Sequence, residues 1–322
     1  MENTMETTQT KIPVGISACL MGDEVRFNGG HKQSRYCRNV LTDFFEFKKF
    51  CPEVAIGMSI PREPIRLFGE NDKPKAIGTV DPDLDVTEPL LAQGKVVADA
   101  MPEICGYILM KGSPSCGMER VKVYKHNGHV EREGQGLFVT ALLEQMPNLP
   151  IEEDGRLTDP ILRENFINRV YVYSAWREFV ANEPTLHGVL QFHTRHKYML
   201  MANSYAGYRE LGRYLAQAHD KPLAEVLEHY ISRLMVHLTK RAKRSGHTNV
   251  LMHILGYLKK QVDSASRASM LETIHQYRRG EVHLAVPIAL LNHYINQVGA
   301  DYIRDQVYLD PYPKVLGLRN YI

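Results

Sequence analysis

At 322 residues, 44% hydrophobic and 24% charged, with a formal net charge of +2 at pH 7, the chain has the make-up of a soluble protein with room for two ordinary cores. No apolar run approaches the ~20 residues that a membrane-spanning helix needs. The five cysteines, Cys19, Cys37, Cys51, Cys105 and Cys116, are odd in number and include no Cys-x-x-Cys pair, which argues against a disulfide framework and a zinc ribbon.

Residues 1–10 are polar throughout and lack the apolar core of a secretory signal or anchor, so a disordered tail and a cytoplasmic location are expected. Residues 11–20 read as a short buried strand that runs into a loop at Cys19. The turn-rich stretch 22–30 leads into Gly29-Gly30-His31-Lys32, where a backbone can approach a ligand closely. Aromatic and charged residues over 34–50 predict a helix, broken by Cys51-Pro52-Glu53 and followed by a second strand at 54–58. Pro61-Arg62-Glu63-Pro64 forms a rigid corner, 65–87 a small excursion such as a hairpin, and Thr87 caps a helix over 88–104. A strand at 106–110 then enters Lys111-Gly-Ser113-Pro-Ser115-Cys116-Gly117, a sharp turn presenting one basic group, two hydroxyls and a thiol. Ser-Pro pushes this backbone out of helix, and Gly117 tolerates an unusual dihedral. An edge strand at 121–124 and a closing helix at 136–146 complete the alternation expected of a parallel, Rossmann-like sheet in an α/β domain over 11–150.

Prolines and acidic residues at 147–155 mark a boundary, beyond which strand signals nearly vanish. Helical patterns at 160–181, 188–218, 223–244, 248–262, 267–280 and 287–297 predict an all-α domain over 151–322. The aromatic, proline-rich tail at 308–313 is expected to lie extended in a groove. Charge is uneven along the chain. Residues 1–150 carry 17 basic against 20 acidic side chains, whereas 187–280 carry 15 against 6, a net of +9. Arg195, Lys197, Arg209 and Arg213 recur at near-helical spacing, and Lys240, Arg241, Lys243 and Arg244 form a dense run. A polyanion is the natural partner, with tyrosines and histidines to stack on unpaired bases; a well-solvated helix face gives the same count. His193 and His196 lack the acidic or cysteine neighbours of a metal site.

In open α/β sheets, ligands sit at loops beyond the carboxyl ends of the strands. Cys19 and Cys116 follow their strands, but Cys51 precedes the strand expected at 54–58, so the pattern does not give one shared rim. Three thiolates from separate loops would suit an iron–sulfur cluster with one open iron. Separations of 32 and 65 residues match no local cluster signature, and burial of each thiol as a small hydrophobe stays an open alternative.

Six motifs stand in order over residues 14–143: Gly15-Ile-Ser-Ala-Cys19-Leu-Met-Gly22, Gly29-Gly-His-Lys32, Cys51-Pro-Glu53, Pro61-Arg-Glu-Pro64, Asp85-Val-Thr87 and Ser113-Pro-Ser-Cys116-Gly117. Together they resemble the thiouracil desulfidase family of the TudS type. Phe192-His-Thr-Arg-His196-Lys-Tyr-Met-Leu-Met201 and Pro287-Ile-Ala-Leu-Leu-Asn-His293-Tyr resemble the YbgA-like domain, and the fusion resembles tRNA 4-thiouridine desulfidases of the RudS type. The resemblance implies a 4Fe–4S cluster held by Cys19, Cys51 and Cys116, with the fourth iron open to sulfur. Many short relatives have a further cysteine where this chain has Val25, so that position is read as no essential ligand. Cys37 and Cys105 are read as buried packing.

A thiocarbonyl sulfur is soft, so an open iron would polarise the C=S bond; water attacks the carbon and hydrosulfide leaves without net redox change. Glu53 is the candidate base, against a reading as the partner of Arg62. Ser113 is the candidate for substrate binding or proton relay, against ordinary turn-making. Lys111 would stabilise developing negative charge, against binding phosphate or facing solvent. The implied partner is tRNA containing 4-thiouridine, docked on residues 187–280. Free thiouracil or other thionated nucleobases, with the helical domain serving homo-oligomerisation, form one alternative; a non-catalytic iron–sulfur sensor or RNA-binding protein is another.

Overall fold

The computed structural model describes residues 10–322; the tail expected at 1–10 lies, apart from Thr10, outside the described residues. The chain divides into two compact units, Met1–Thr158 and Asp159–Ile322. The strands of the first are β1 (Ile12–Ser17), β2 (Phe45–Phe50), β3 (Ile65–Phe68), β4 (Lys75–Gly78), β5 (Tyr107–Leu109), β6 (Val121–Tyr124), β7 (Val130–Gly134) and β8 (Ile151–Glu153). Its helices are α1 (Arg35–Asn39), α2 (Pro52–Ala55), α3 (Thr87–Ala100) and α4 (Leu137–Gln145). One sheet is wholly parallel, in the order β2-β1-β5-β8. The other is mixed, in the order β4-β3-β6-β7.

Residues 34–50 are not one helix. Ser34 caps the short α1, and the chain then turns into β2, where Phe45 lies opposite Ile12 of β1. Phe45-Glu-Phe-Lys alternates with period two, and pairing along the buried β1 decides for strand. The strand expected at 54–58 is instead the turn after β2, with Pro52 at the start of α2, where its missing N–H costs nothing. Residues 65–78 do form a hairpin, β3–β4. The strand at 121–124 is internal, lying between β3 and β7 rather than at an edge.

Because β2, β1 and β5 are adjacent and parallel, their carboxyl ends open on one rim. Helix α4 serves both sheets. Its Phe138 ring packs 5.5 Å from Phe50 and 5.8 Å from Tyr107 of the parallel sheet, while Leu137 joins Leu67, Val121, Val123 and Leu90 in the core of the other. Helices α3 and α4 meet at Gly94, where a Cβ would lie 2.7 Å from that of Ala141, closer than packed side chains tolerate.

The second unit consists of α5 (Pro160–Ala181), α6 (Leu186–Asn203), α7 (Tyr205–Ala216), α8 (Leu223–Leu238), α9 (Arg244–Leu258), α10 (Ser264–Arg279), α11 (Ala285–Val298) and the short α12 (Asp301–Arg304). Two expected helices are each broken. The pattern at 188–218 is interrupted at Ser204, whose side chain caps α7 through the Gly207 N–H. The pattern at 223–244 ends at Leu238, leaving Thr239 to Lys243 as a connection before α9. One core gathers around Trp176, Tyr230 and Leu234, the other around Val250, Ile254 and Tyr277. The tail packs back on this unit: Tyr308 and Tyr312 are buried, and the Tyr312 hydroxyl donates to Glu164 at 3.2 Å. Among the described residues no helix is long and apolar enough to cross a membrane.

Candidate active site

With the second strand at 45–50, Cys51 is the residue immediately after β2, and the obstacle to a shared rim disappears. Cys19 follows β1, and Cys116 lies in the loop after β5. All three line one cleft of about 190 Å3, together with Glu53, Arg62, Lys111, Ser113 and Ser115. Cys37 and Cys105 are buried elsewhere and do not line it.

The loop bearing Cys116 is shaped by its own backbone. Ser113 Oγ accepts from the N–H groups of Ser115 (3.2 Å) and Cys116 (3.1 Å), and Gly117 N–H donates to the Ser113 carbonyl at 2.8 Å. Gly136 N–H holds the Gly117 carbonyl at 2.8 Å, and Leu137 N–H holds that of Pro114 at 3.1 Å, so the start of α4 fastens the loop. The left-handed residue is Gly112, at φ +66°, not Gly117. Gly117 is required for a different reason: a Cβ there would come within 2.8 Å of the Ser113 carbonyl oxygen. A Cβ on Gly136 would collide with the Ser115 carbonyl.

Glu53 faces this loop. Its Oε2 accepts from Arg62 at 2.9 and 2.7 Å, and its Oε1 accepts from Ser115 Oγ at 2.6 Å. Arg62 also donates to the Val25 carbonyl at 2.7 Å. Both readings of Glu53 therefore describe it: it is paired with Arg62, and it lines the cleft. Ser113 makes the turn and lies 2.9 Å from Ser115 Oγ, which in turn lies 3.7 Å from Cys116 Sγ. The hydroxyl that reaches the carboxylate is thus that of Ser115, fully buried and not singled out from the sequence. Its signal was present, as the second hydroxyl beside the cysteine, but the residue pattern could not say which serine turns towards Glu53.

Burial pushes the Cys19 thiol up to about 11, and the nearby Cys51 pushes it further in the same direction. Burial also raises Cys51, and it raises Cys116 with help from the charges of Glu53 and Cys51. Each thiol feels a neighbour, and each holds its proton unless positive charge offsets the burial. Among the described residues, no three His, Cys, Asp or Glu side chains are grouped to hold a single metal ion. A mononuclear thiolate site needs sulfurs about 3.8 Å apart. The Tyr107 hydroxyl is fully buried and has no hydrogen-bond partner among the described residues, and burial, with the charges of Cys116, Cys51 and Cys19, pushes its pKa up. Three spread thiols and an orphaned donor fit a polynuclear iron–sulfur group, whose sulfurs are acceptors, better than a lone ion.

At the mouth stand the exposed Lys111, together with Arg26, whose guanidinium lies 5.5 Å from the centre of the exposed Phe27 ring. In the second unit the basic residues do not form one surface. Lys240, Arg241, Lys243 and Arg244 line a groove of about 940 Å3 with the exposed Tyr205 and Tyr321. Arg209 and Arg213 are exposed on α7, outside that groove. Arg195 lies on a separate cleft, and Lys197 is held against the Tyr302 hydroxyl and ring. His193 is buried against the Tyr230 hydroxyl at 3.3 Å.

A model of the family described as 2-thiouracil desulfurase matches residues 14–154, and one described as a protein of unknown function (DUF1722) matches residues 197–313. The uncharacterized protein YbbK of Bacillus subtilis (strain 168) is 33% identical over 152 residues, 45% of this chain and 97% of that protein. The uncharacterized protein YbgA of Escherichia coli (strain K12) is 35% identical over 133 residues, 41% of this chain and 79% of that protein. Among solved structures, the [4Fe–4S]-dependent thiouracil desulfidase TudS aligns at 28% identity with a TM-score of 0.37, over 47% of this chain and 95% of that chain.

Proposed function

We propose that this chain, which belongs to the 2-thiouracil desulfurase family and joins that domain to a DUF1722 domain, removes sulfur from 4-thiouridine in tRNA, giving uridine and hydrosulfide. The observation that carries the reading is the convergence of Cys19, Cys51 and Cys116 on one rim beside Glu53. Those three cysteines would hold a 4Fe–4S cluster. When bound, a cluster with one iron free of cysteine supplies a thiophilic Lewis acid that polarises a thiocarbonyl.

The chain's own residues supply the rest. Glu53 takes a proton from the water that adds to the thiocarbonyl carbon. Arg62 holds one carboxylate oxygen, which leaves the other, on Ser115, facing the cleft. Ser113 donates to Ser115, which donates to Glu53, so the two hydroxyls hold the carboxylate in position for the water. C=O replaces C=S, and sulfur leaves as hydrosulfide with one proton released, so no electron is gained or lost. Lys111 at the mouth offsets the developing negative charge. Ser115→Ala is expected to lower kcat about tenfold or more while KM changes little, because the hydroxyl orients the base rather than the substrate. A raised KM with kcat unchanged would place Ser115 in binding instead.

The groove of Lys240, Arg241, Lys243 and Arg244 supports an RNA substrate: four exposed cations suit phosphates, and Tyr205 and Tyr321 offer faces for unpaired bases. Neutralising the four is expected to reduce the slope of log affinity against log salt for tRNA by about 3. An unchanged slope removes this groove from the interface. Free thiouracil is the second reading, favoured by the description of the matching family. Incubating the anaerobically reconstituted protein with thiolated tRNA and, separately, with free thiouracil, and following thiocarbonyl absorbance and sulfide release, distinguishes the two. Reaction of neither substrate overturns both and favours a sensor.

A further inference from the structure

The motif Phe192-His-Thr-Arg-His196 has no part in the chemistry above, yet its residues build a cleft of about 530 Å3 between α5, α6 and the segment around Pro311. That volume lies in the range of small-molecule sites. Thr185 caps α6 through the Gly188 N–H at 3.0 Å, and Gly188 leaves space for the Phe179 ring, which stands 6.0 Å from that of Phe192. Tyr171 and Phe179 of α5 and Phe192 of α6 give the cleft aromatic walls.

The polar groups in it are specific. The His196 ring is stacked on Phe192 at 3.9 Å, and its Nδ1 donates to the Phe192 carbonyl at 2.8 Å. Burial pushes its pKa down to about 4, so at neutral pH the imidazole is uncharged and Nε2 is an acceptor. His196 is only 5% exposed and lines the cleft, with Nδ1 taken by the Phe192 carbonyl. An acceptor of this kind selects a ring that offers it an N–H. At the rim Arg195 is exposed and, among the described residues, is in no ion pair, a guanidinium suited to phosphate. Glu178 and Asp310, also on the rim, are carboxylates of the sort that accept from ribose hydroxyls.

We propose that this cleft binds one ribonucleotide with a uracil-type base: the ring lies between the aromatic walls with its N–H on His196 Nε2, and the phosphate meets Arg195. The same chemistry is presented by a free nucleoside monophosphate and by one residue of an RNA chain. The site is distinct from the cysteine cleft, and its test uses unmodified bases, so it stands or falls apart from the desulfidase reading.

Trp176, the single tryptophan of the chain, lies 5.1 Å from the Phe192 ring and 5.3 Å from that of Phe179, so its fluorescence reports on occupancy. The full-length protein is titrated with uridine 5′-monophosphate, uridine, inorganic phosphate and a short oligouridylate. A saturable change with the monophosphate is expected, with uridine about tenfold weaker and phosphate alone without effect. Tighter binding of the oligonucleotide than of the monophosphate assigns the site to a residue within RNA; equal or weaker binding assigns it to a free nucleotide. Arg195→Ala should reduce affinity for the monophosphate about tenfold and leave uridine unaffected. Ala175→Leu, which adds bulk to a residue lining the cleft and preserves helix propensity, should abolish the change while circular dichroism stays native. No saturable signal with either uridylate, an identical response to phosphate alone, or unaltered binding by both variants overturns the proposal.

Discussion

Cys116→Ala, reconstituted anaerobically with iron and sulfide, is expected to hold no 4Fe–4S cluster and to show only background desulfidation. Cys116 stands on one outer loop of the three: its strand, β5, pairs with β1, which leads to Cys19 and pairs in turn with β2, which leads to Cys51. Removing its thiol leaves two protein ligands for a group whose remaining iron must stay free for substrate. The substitution is mild as packing, since a buried cysteine behaves as a small hydrophobe and alanine leaves a cavity of about one sulfur. Folding should therefore survive, and the loss should appear in iron content and visible absorbance. A full iron complement in this variant removes Cys116 from the ligand set.

Glu53→Gln is expected to keep its cluster and to lose about 10²- to 10⁴-fold in kcat. Glutamine is the informative replacement. Glu53→Ala would leave the Arg62 guanidinium, 4% exposed in its side chain, without its carboxylate, and breaking a buried pair costs about 3–5 kcal/mol in its own right. With glutamine the side-chain oxygen can still accept from Arg62 while its NH2 donates to the Ser115 hydroxyl oxygen, and Arg62 keeps the carbonyls of Val25 and Ser59. Near-normal turnover of the cluster-loaded Gln variant would exclude Glu53 as the base.

Much of this site was legible in the sequence as residue types. Which of them meet was not. The three cysteines and Glu53 stood out through the ordered motifs that resemble a known family; the residue types alone left each thiol open to burial as a small hydrophobe. Their common rim was hidden by one period error: Phe45-Glu-Phe-Lys-Lys-Phe50 is short enough to satisfy a helical and a strand pattern, and only the neighbouring β1 selects between them. Once β2 is a strand, Cys51 moves from before a strand to after one. Ser115 went unseen because the turn, not the sequence, aims its hydroxyl at Glu53 while Ser113 is consumed by backbone donors. In the second unit helix positions were readable from apolar periodicity, but the breaks at Ser204 and at 239–243 were not. Local polar residues cap and end helices there within an otherwise continuous pattern. The basic residues were equally visible, yet helix packing distributes them over separate faces.

Gly136 lies 20 residues beyond Cys116 in the chain and touches no substrate, yet its missing side chain lets α4 press on the Ser115 carbonyl. This fixes where the protein can vary when its substrate range is diversified by selection. A library spread evenly over the neighbourhood of the cysteines would spend most of its members on positions 113, 115, 117 and 136, where nearly every change loosens the loop. Arg26 and Phe27 also border the cleft, but Phe27 is 40% exposed, and the turn there is closed by the Arg26 backbone with Gly29 and Gly30 rather than by either side chain. Adaptability of the cleft towards larger or smaller substrates is therefore expected in that short stretch rather than at positions 113, 115, 117 and 136.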